Sequence, residues 1–186
     1  MALGGEASAV TVDLGDQRID VLGIHPPSPT TAERSQRRDG MIVAAGEWIR
    51  SRSGEVLVVG DLNATPWSHA VRTLRRSGGL VDTMRGVGLQ PSWPEGWGLL
   101  AIPIDHVLHT EGLASEDRRT GPSIGSAHRP VIVTIGFSGS VAFGDLRNSQ
   151  FAIRRSRPLL LHSGFLVGDE ACPLVRQEAT GVIAVG

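Results

Sequence analysis

The chain of 186 residues has no lysine, no tyrosine and a single cysteine, Cys172. One cysteine excludes an internal disulfide framework. No apolar run reaches the roughly 18 residues that a membrane-spanning helix needs, and the first residues have neither the charged region nor the apolar core of a signal peptide. These absences favour a soluble, cytoplasmic protein with no membrane span in this chain.

Net charge and aromatic side chains are also scarce. The net charge is −1, and the aromatic residues are four Phe and four Trp. A chain with no excess of positive charge lacks the electrostatic footprint of a non-specific nucleic-acid binder. So few aromatic side chains offer no stacking platform for single strands. A substrate that contains phosphate would therefore have to be held by a local site or by a metal ion.

What the sequence does contain is an alternation of strand and helix patterns. Apolar periodicity predicts strands at residues 9–14, 18–24, 55–61, 104–109 and 130–135, and helices at residues 31–53 and from residue 65 to the Ser-Gly-Gly at 77–79. The short link between the first two strands predicts a hairpin. Strands that alternate with helices predict one layered domain of the mixed α/β class.

Polar residues mark the predicted starts of both helices. Thr30, followed three residues later by Glu33, predicts a capping box for the first helix. Thr65 and Pro66 predict the N-cap and the first residue of the second helix. The arginine-rich residues 34–38 are typical of the solvated face of a helix.

Residues with useful chemistry lie at the ends of the predicted strands. His25 and the pair Asp61 and Asn63 each follow a strand, Asp105 lies inside one, and His128 precedes one. Sites in layered α/β folds gather at strand ends and the loops beyond them. A histidine oriented by a carboxylate can act as a general base, and carboxylates can bind a hard divalent cation. Turn formation by Asp61 and Asn63 is the structural alternative.

The literal strings at these positions resemble motifs of the endonuclease/exonuclease/phosphatase family, the deoxyribonuclease-I-like metal-dependent phosphodiesterases. Residues 60–66 (GDLNATP) match Gly-Asp-x-Asn, residues 103–108 (PIDHVL) match Ile-Asp-x-Val, and residues 126–131 (SAHRPV) match Ser-Asp-His-x-Pro-Val. Residues 24–29 (IHPPSP) look like the family's strand-end histidine followed by proline. The resemblance extends over about residues 9–135, and the loop 92–97 resembles the bacterial branch of the family, which is often membrane-attached.

The resemblance implies a fold, a set of roles and a cofactor. The fold would be a partial four-layered sandwich with a mixed sheet and flanking helices. His128 would activate water or balance charge on the phosphorane, and Asp105 would orient it. Asp61 and Asn63 would position the nucleophile and the scissile phosphate, and His25 would contact a phosphate oxygen. The cofactor would be Mg or Mn, with Asp61 as its ligand in this chain.

Two departures from the family pattern keep a second function open. The aspartate that precedes the base histidine in the family is Ala127 here, and the N-terminal half that carries a glutamate metal ligand has no match. Residues 1–136 are therefore predicted to be the C-terminal half of such a domain, and residues 137–186 a tail without a motif. A partner chain could supply the missing half-sandwich.

The leading hypothesis is a metal-dependent phosphoester hydrolase. Its substrate would be a nucleic acid, a small phosphate ester or a lipid headgroup. The alternative is a truncated, catalytically silent fragment, or a non-enzymatic binding module on the same fold. Dependence on a divalent cation distinguishes the two hypotheses, because only the enzyme should lose activity with a chelator.

Overall fold

The computed structural model describes residues 6–14, 17–138 and 180–185. Within these ranges the strands are β1 (Ala7–Leu14), β2 (Gln17–Ile24), β3 (Glu55–Asp61), β4 (Leu80–Asp82), β5 (Asp105–Thr110), β6 (Leu113–Thr120), β7 (Val131–Phe137) and β8 (Thr180–Val185). The helices are α1 (Ala32–Arg50), α2 (His69–Gly78) and a short 3-10 helix, Gly98–Leu100. The strands form a five-stranded sheet in the order β1-β2-β3-β5-β4 and a three-stranded sheet in the order β6-β7-β8.

The five-stranded sheet mixes parallel and antiparallel pairs. β1 and β2 form the predicted antiparallel hairpin, closed at the pair Leu14 and Gln17. β2 runs parallel to β3, and a parallel pair needs a crossover connection, which α1 supplies. β3 is antiparallel to β5. This arrangement brings the carboxyl ends of β2 and β3 and the amino end of β5 to the same side of the sheet.

Two hydrophobic clusters fix the order of the layers. The apolar run in β3 is buried on both faces, so its side chains alternate between the clusters. Val56 and Val58 pack with residues of α1 and α2, whereas Leu57 and Val59 pack with residues of β6 and β7. The described residues therefore form a layer of helices, the mixed sheet and the second sheet, and the expected α/β sandwich class is confirmed.

Both helices begin later than the sequence pattern predicted. The N-cap of α1 is Thr31 rather than Thr30, because the Thr31 side chain accepts a hydrogen bond from the Arg34 N–H. The N-cap of α2 is Ser68, whose hydroxyl accepts from the Val71 N–H. Thr65 instead belongs to a turn in which its carbonyl accepts from the Ser68 N–H. Either hydroxyl could cap a helix chemically, and the turn decides which one does.

The second sheet contains a strand that the sequence pattern did not reveal. β6 pairs with β7 but buries only Leu113 and Arg118 among its eight residues, so it lacks the apolar alternation by which strands are recognised. Its pairing shifts between Glu116 and Arg119, and Asp117 adopts a positive φ of 50°. This irregularity is a β-bulge, which re-aims side chains.

The chain beyond residue 136 contributes one described strand. β8 pairs antiparallel with β7 from Val131 to Gly136. Cys172 and the rest of the predicted tail lie outside the described residues. The division at residue 136 stays a prediction. In the described part of the chain, no helix is both long and apolar enough to span a membrane.

Candidate active site

The register between β3 and β5 brings two carboxylates together. Asp61, the last residue of β3, is the direct partner of Asp105, the first residue of β5. Directly paired residues on antiparallel strands have neighbouring side chains. Sequence positions 44 residues apart thus meet because these strands pair in this register. The two predicted site residues therefore lie side by side where β3 ends and β5 begins.

Asp105 holds His128 through a short hydrogen bond. His128 Nδ1 lies 2.9 Å from Asp105 Oδ2, and the Asp105 side chain is only 2% exposed. An ionised carboxylate only accepts hydrogen bonds, so Nδ1 carries the proton and donates it. In the neutral ring Nε2 then keeps a lone pair. The hydrogen bond to Asp105 raises the pKa of His128, burial lowers it, and the charges of Asp105 and Asp61 raise it further.

Asp61 faces this imidazole from the other side. Its Oδ2 lies 3.9 Å from His128 Nε2 and 3.6 Å from His25 Nε2. Burial raises the pKa of the Asp61 carboxyl to about 6, and the neighbouring charge of Asp105 adds to that rise. The Asn63 N–H, His128 and His25 lower the pKa of Asp61 but do not cancel the rise. Asp61 is therefore a carboxylate that is costly to ionise, at the centre of the group.

Asn63 joins the group through an unusual backbone conformation. Its φ of 47° lies in the left-handed region, which few non-glycine residues adopt. Its N–H donates to Asp61 Oδ1 at 2.7 Å, and its side-chain amide donates to the Pro26 carbonyl at 3.0 Å. The turn expected as the structural alternative is present, and it also delivers the Asn63 side chain beside Asp61 and the loop after β2.

His25 completes the group of predicted residues. It follows β2 directly, and its backbone N–H donates to the Glu6 carbonyl at 2.8 Å. Its side chain is 72% exposed, so it lies at the mouth of the site, whereas Asp105 lies at the base. The structure thus brings together all five residues that the sequence singled out: His25, Asp61, Asn63, Asp105 and His128.

Ser92 is a supporting residue that sequence reasoning missed. It is 1% exposed, and its hydroxyl accepts from the N–H groups of Ile104 and Asp105 at 3.4 and 3.3 Å. Its carbonyl accepts from the Arg129 N–H at 2.8 Å. Ser92 therefore ties the strand that bears Asp105 to the loop that bears His128. Its position in a long loop gave no signal in the sequence.

The two histidines of β5, His106 and His109, do not belong to this group. His106 and His109 are both buried, and each bonds a backbone carbonyl, of Ala64 and Thr110 respectively, at 2.8 Å. Both side chains are therefore hydrogen-bonded groups of the protein interior. Neighbouring residues of a strand face opposite sides, so His106 cannot join Asp105 in the site.

Three side chains of the site offer oxygen and nitrogen atoms that could bind one divalent cation. Asp61, Asp105 and His128 each offer one ligand atom, and these atoms lie within 4.8 Å of one another. Asp105 Oδ2 already accepts from His128, which leaves Asp61 as the freer oxygen donor. Mg²⁺ is commonly bound by one or two carboxylates with several waters. The residues fit such an ion, and its positive charge would offset the repulsion between the two carboxylates.

The fold is a mixed α/β sandwich that carries a carboxylate–imidazole pair and a second acid at one end of its central strands. An imidazole oriented by a carboxylate can act in general acid–base catalysis. The sequence model of the Endonuclease/Exonuclease/phosphatase family matches residues 3–128. The chain belongs to this family. A search of curated proteins found no match.

Solved structures agree with the fold. An endonuclease/exonuclease/phosphatase from Beutenbergia cavernae has a TM-score of 0.57 and 20% identity, over 69% of this chain and 38% of that one. The human Nocturnin catalytic domain has a TM-score of 0.55 and 13% identity, over 71% of this chain and 52% of that one. A functionally unknown conserved protein from Enterococcus faecalis has a TM-score of 0.55 and 15% identity, over 67% of this chain and 52% of that one. The matches thus cover 38 to 52% of these three structures.

Proposed function

We propose that the site is that of a metal-dependent phosphoester hydrolase. The observation that supports this function is the alignment of Asp105, His128 and Asp61, in which one imidazole nitrogen donates to a buried acid and the other faces a second acid. This is the geometry of a histidine held in a single tautomer, ready to accept a proton. Membership of the family supports the same reaction class.

His128 would take a proton from water through Nε2, because Nδ1 is committed to Asp105. Asp105 would keep the ring in that tautomer and stabilise the imidazolium that forms. Asp61 would hold the attacking water through Oδ2, since its Oδ1 is committed to the Asn63 N–H. The hydrolysis then adds water across the P–O ester bond, which yields a phosphate product and an alcohol.

The remaining residues would hold the phosphate. The second proton of the Asn63 side-chain amide is available for a phosphate oxygen, since the first is donated to Pro26. His25, exposed at the mouth, would donate to another oxygen. A divalent cation, Mg or Mn, would bind at Asp61 and supply charge stabilisation worth several kcal/mol. The ester would belong to a nucleic acid, a small molecule or a lipid headgroup.

The test is hydrolysis of bis-(p-nitrophenyl) phosphate and of plasmid DNA by the purified chain, with Mg²⁺, Mn²⁺ or EDTA. His128→Ala should abolish turnover, and EDTA should do the same to the wild type. His109→Phe is the control, because His109 is a buried histidine outside the site whose ring bonds the Thr110 carbonyl. Turnover that survives both His128→Ala and EDTA would refute the proposal.

The second candidate is a catalytically silent member of the family that binds without turning over. Ala127 favours it, because a carboxylate expected from the family motif is replaced by a methyl group. The Ala127 carbonyl also accepts from the Glu95 N–H at 2.8 Å, so this segment is anchored to the neighbouring loop. A silent module would show no turnover under any of these conditions, while still melting cooperatively as a folded domain.

We also propose that the chain corresponds to the C-terminal half of a bacterial family domain and that a further segment or a partner chain completes the sandwich. Its coverage of 38 to 52% of three related structures supports this. β1 is an edge strand of the five-stranded sheet, and an edge offers unpaired backbone groups for another strand. Size-exclusion chromatography with light scattering would detect self-completion as a dimer, and a strict monomer would exclude it.

A further inference from the structure

The turn after β3, residues 62–65, carries Asn63 and is held by side chains from outside the site. Asn63 adopts a left-handed φ of 47°. This conformation costs free energy and persists only where surrounding contacts hold it in place. Its N–H and side-chain amide are bound to Asp61 and Pro26. The carbonyls of Asn63 and Ala64 accept from two residues that the hydrolytic scheme does not use.

Arg38 holds the first of these carbonyls. Its Nη1 donates to the Asn63 carbonyl at 3.2 Å, and its side chain is only 16% exposed. Asp39 orients the guanidinium, since its Oδ1 accepts from Arg38 Nε at 2.9 Å and lies 2.8 Å from Nη2. The prediction of a solvated helix face is therefore wrong at Arg38. It describes the adjacent Arg37 well, which is 65% exposed and pairs with Glu6.

His106 holds the second carbonyl from the opposite direction. Its Nε2 lies 2.8 Å from the Ala64 carbonyl, and a carbonyl only accepts, so Nε2 carries the proton. Burial lowers the pKa of His106. His106 is next to Asp105 in the chain but on the other face of β5. One strand thus supports the site from both faces.

We infer that Arg38 and His106 are positioning residues that clamp the Asn63 and Ala64 carbonyls and so fix the left-handed turn on which Asp61 and Asn63 depend. The inference deepens the proposed hydrolase function and rests on it. α1 and β5 are rigid elements, so the two donors hold adjacent peptide units in fixed places. Loss of either donor lets the Asn63 N–H move away from Asp61 Oδ1.

The experiment compares donor-deleting with donor-retaining variants. Arg38→Met and His106→Phe remove the donor and keep much of the volume, whereas Arg38→Lys and His106→Gln retain an N–H group. Arg37→Met and His109→Phe are matched controls on the same helix and the same strand. Two quantities are measured: the hydrogen-exchange rate of the Asn63 N–H by NMR, and kcat and KM for bis-(p-nitrophenyl) phosphate with Mg²⁺.

Arg38→Met and His106→Phe should speed exchange at Asn63 by about tenfold or more, while core amides such as Val58 keep their rates. They should lower kcat by about 10- to 100-fold and change KM by less than about threefold, because small misplacements act on the chemical step. Arg38→Lys and His106→Gln should partly restore both the slow exchange at Asn63 and kcat. The two control variants should match the wild type.

If the Asn63 N–H of Arg38→Met exchanges at the wild-type rate, the proposed clamp is overturned. Arg38→Met alone tests the clamp if His106→Phe does not fold. Faster exchange with unchanged kcat overturns the positioning role. A wild type without turnover in any metal contradicts the proposed hydrolase and, with it, the positioning role. The exchange rates then still decide whether the two residues clamp the turn.

Discussion

His128 donates its Nδ1 proton to Asp105 Oδ2 across 2.9 Å, and the acid that accepts it is 2% exposed. A buried carboxylate needs a partner, and this one has a histidine whose other nitrogen faces Asp61. The pair joins the start of β5 to the loop before β7. Its strength governs both the tautomer and the charge state of the imidazole.

Asp105→Asn should lower the pKa of His128, because the hydrogen bond to the carboxylate is the main cause of its rise. Only the neutral imidazole can accept a proton, so wild-type turnover should increase with pH through the raised pKa. The variant should shift that limb to lower pH and reduce kcat by about 10²- to 10⁴-fold. NMR titration of His128 and the pH–rate profile check both effects. A His128 titration that is unmoved by the substitution would contradict the assigned hydrogen bond.

The raised pKa of His128 also predicts how the stability of the fold depends on pH. A histidine whose pKa is higher in the folded state than its ordinary 6.5 adds stability below pH 6.5. That contribution is lost as the pH rises through the raised folded-state value. In Asp105→Asn this dependence should largely disappear. Urea melts from pH 5.5 to 8.5 measure it, and equal slopes in wild type and variant would speak against the linkage.

Asp61→Asn should stabilise the fold at neutral pH. The folded state raises the pKa of Asp61 from 3.8 to about 6, so the native state binds more protons between these values. The free energy of unfolding therefore falls as the pH rises through that window, by about 3 kcal/mol at most. Asn keeps an acceptor for the Asn63 N–H without the charge. We expect a gain of about 1–3 kcal/mol at pH 7.5, with loss of activity.

Thermal or urea melts at pH 4 and pH 7.5 would measure the effect of Asp61→Asn. Asp13→Asn serves as its control, because Asp13 is an exposed strand aspartate paired with Arg18. A variant that is less stable than the wild type at pH 7.5 would contradict the prediction that the ionised Asp61 carboxylate destabilises the folded state.

Mg²⁺ or Mn²⁺ should stabilise the wild type, and EDTA should reverse the effect. An ion that binds only the folded state adds about 1.4 kcal/mol at ten times its Kd. Asp61→Asn should abolish this increase in Tm, because it removes the freer oxygen donor of the cluster. Differential scanning calorimetry in the absence of substrate separates ion binding from catalysis. An equal increase in Tm for Asp61→Asn would place the ion elsewhere.

Gly60→Ala should destabilise the sheet beside the site. Gly60 has a φ of +143°, and a Cβ there would overlap the Ile24 carbonyl oxygen. Strain and overlap of this kind cost about 2–5 kcal/mol. Gly40→Ala in α1 is the control, since a Cβ at Gly40 meets nothing within 4 Å, and it should stabilise by about 0.5–1 kcal/mol. Chemical denaturation of both variants decides, and equal stabilities would contradict the close approach at Gly60.

Local patterns in the sequence sufficed for several elements. The hairpin of β1 and β2, the buried strand β3 and the helix α1 follow from apolar spacing. β6 could not be found in this way, because its stabilisation comes from pairing with β7 rather than from its own apolar residues. The helix starts were missed by one and three positions, since Thr30, Thr31, Thr65 and Ser68 are all chemically able caps.

The sequence by itself singled out the residues of the candidate site: His25, Asp61, Asn63, Asp105 and His128 stand in ordered motifs beside or inside predicted strands. Only the tertiary structure decided how they meet. The register of Asp61 with Asp105 depends on long-range strand pairing, and Ser92, Arg38 and His106 act through bonds to backbone groups distant in sequence. A hydrogen bond between a side chain and a backbone group depends on where the two lie in the folded structure and requires no residue pattern, so the spacing of residues in the sequence does not reveal it.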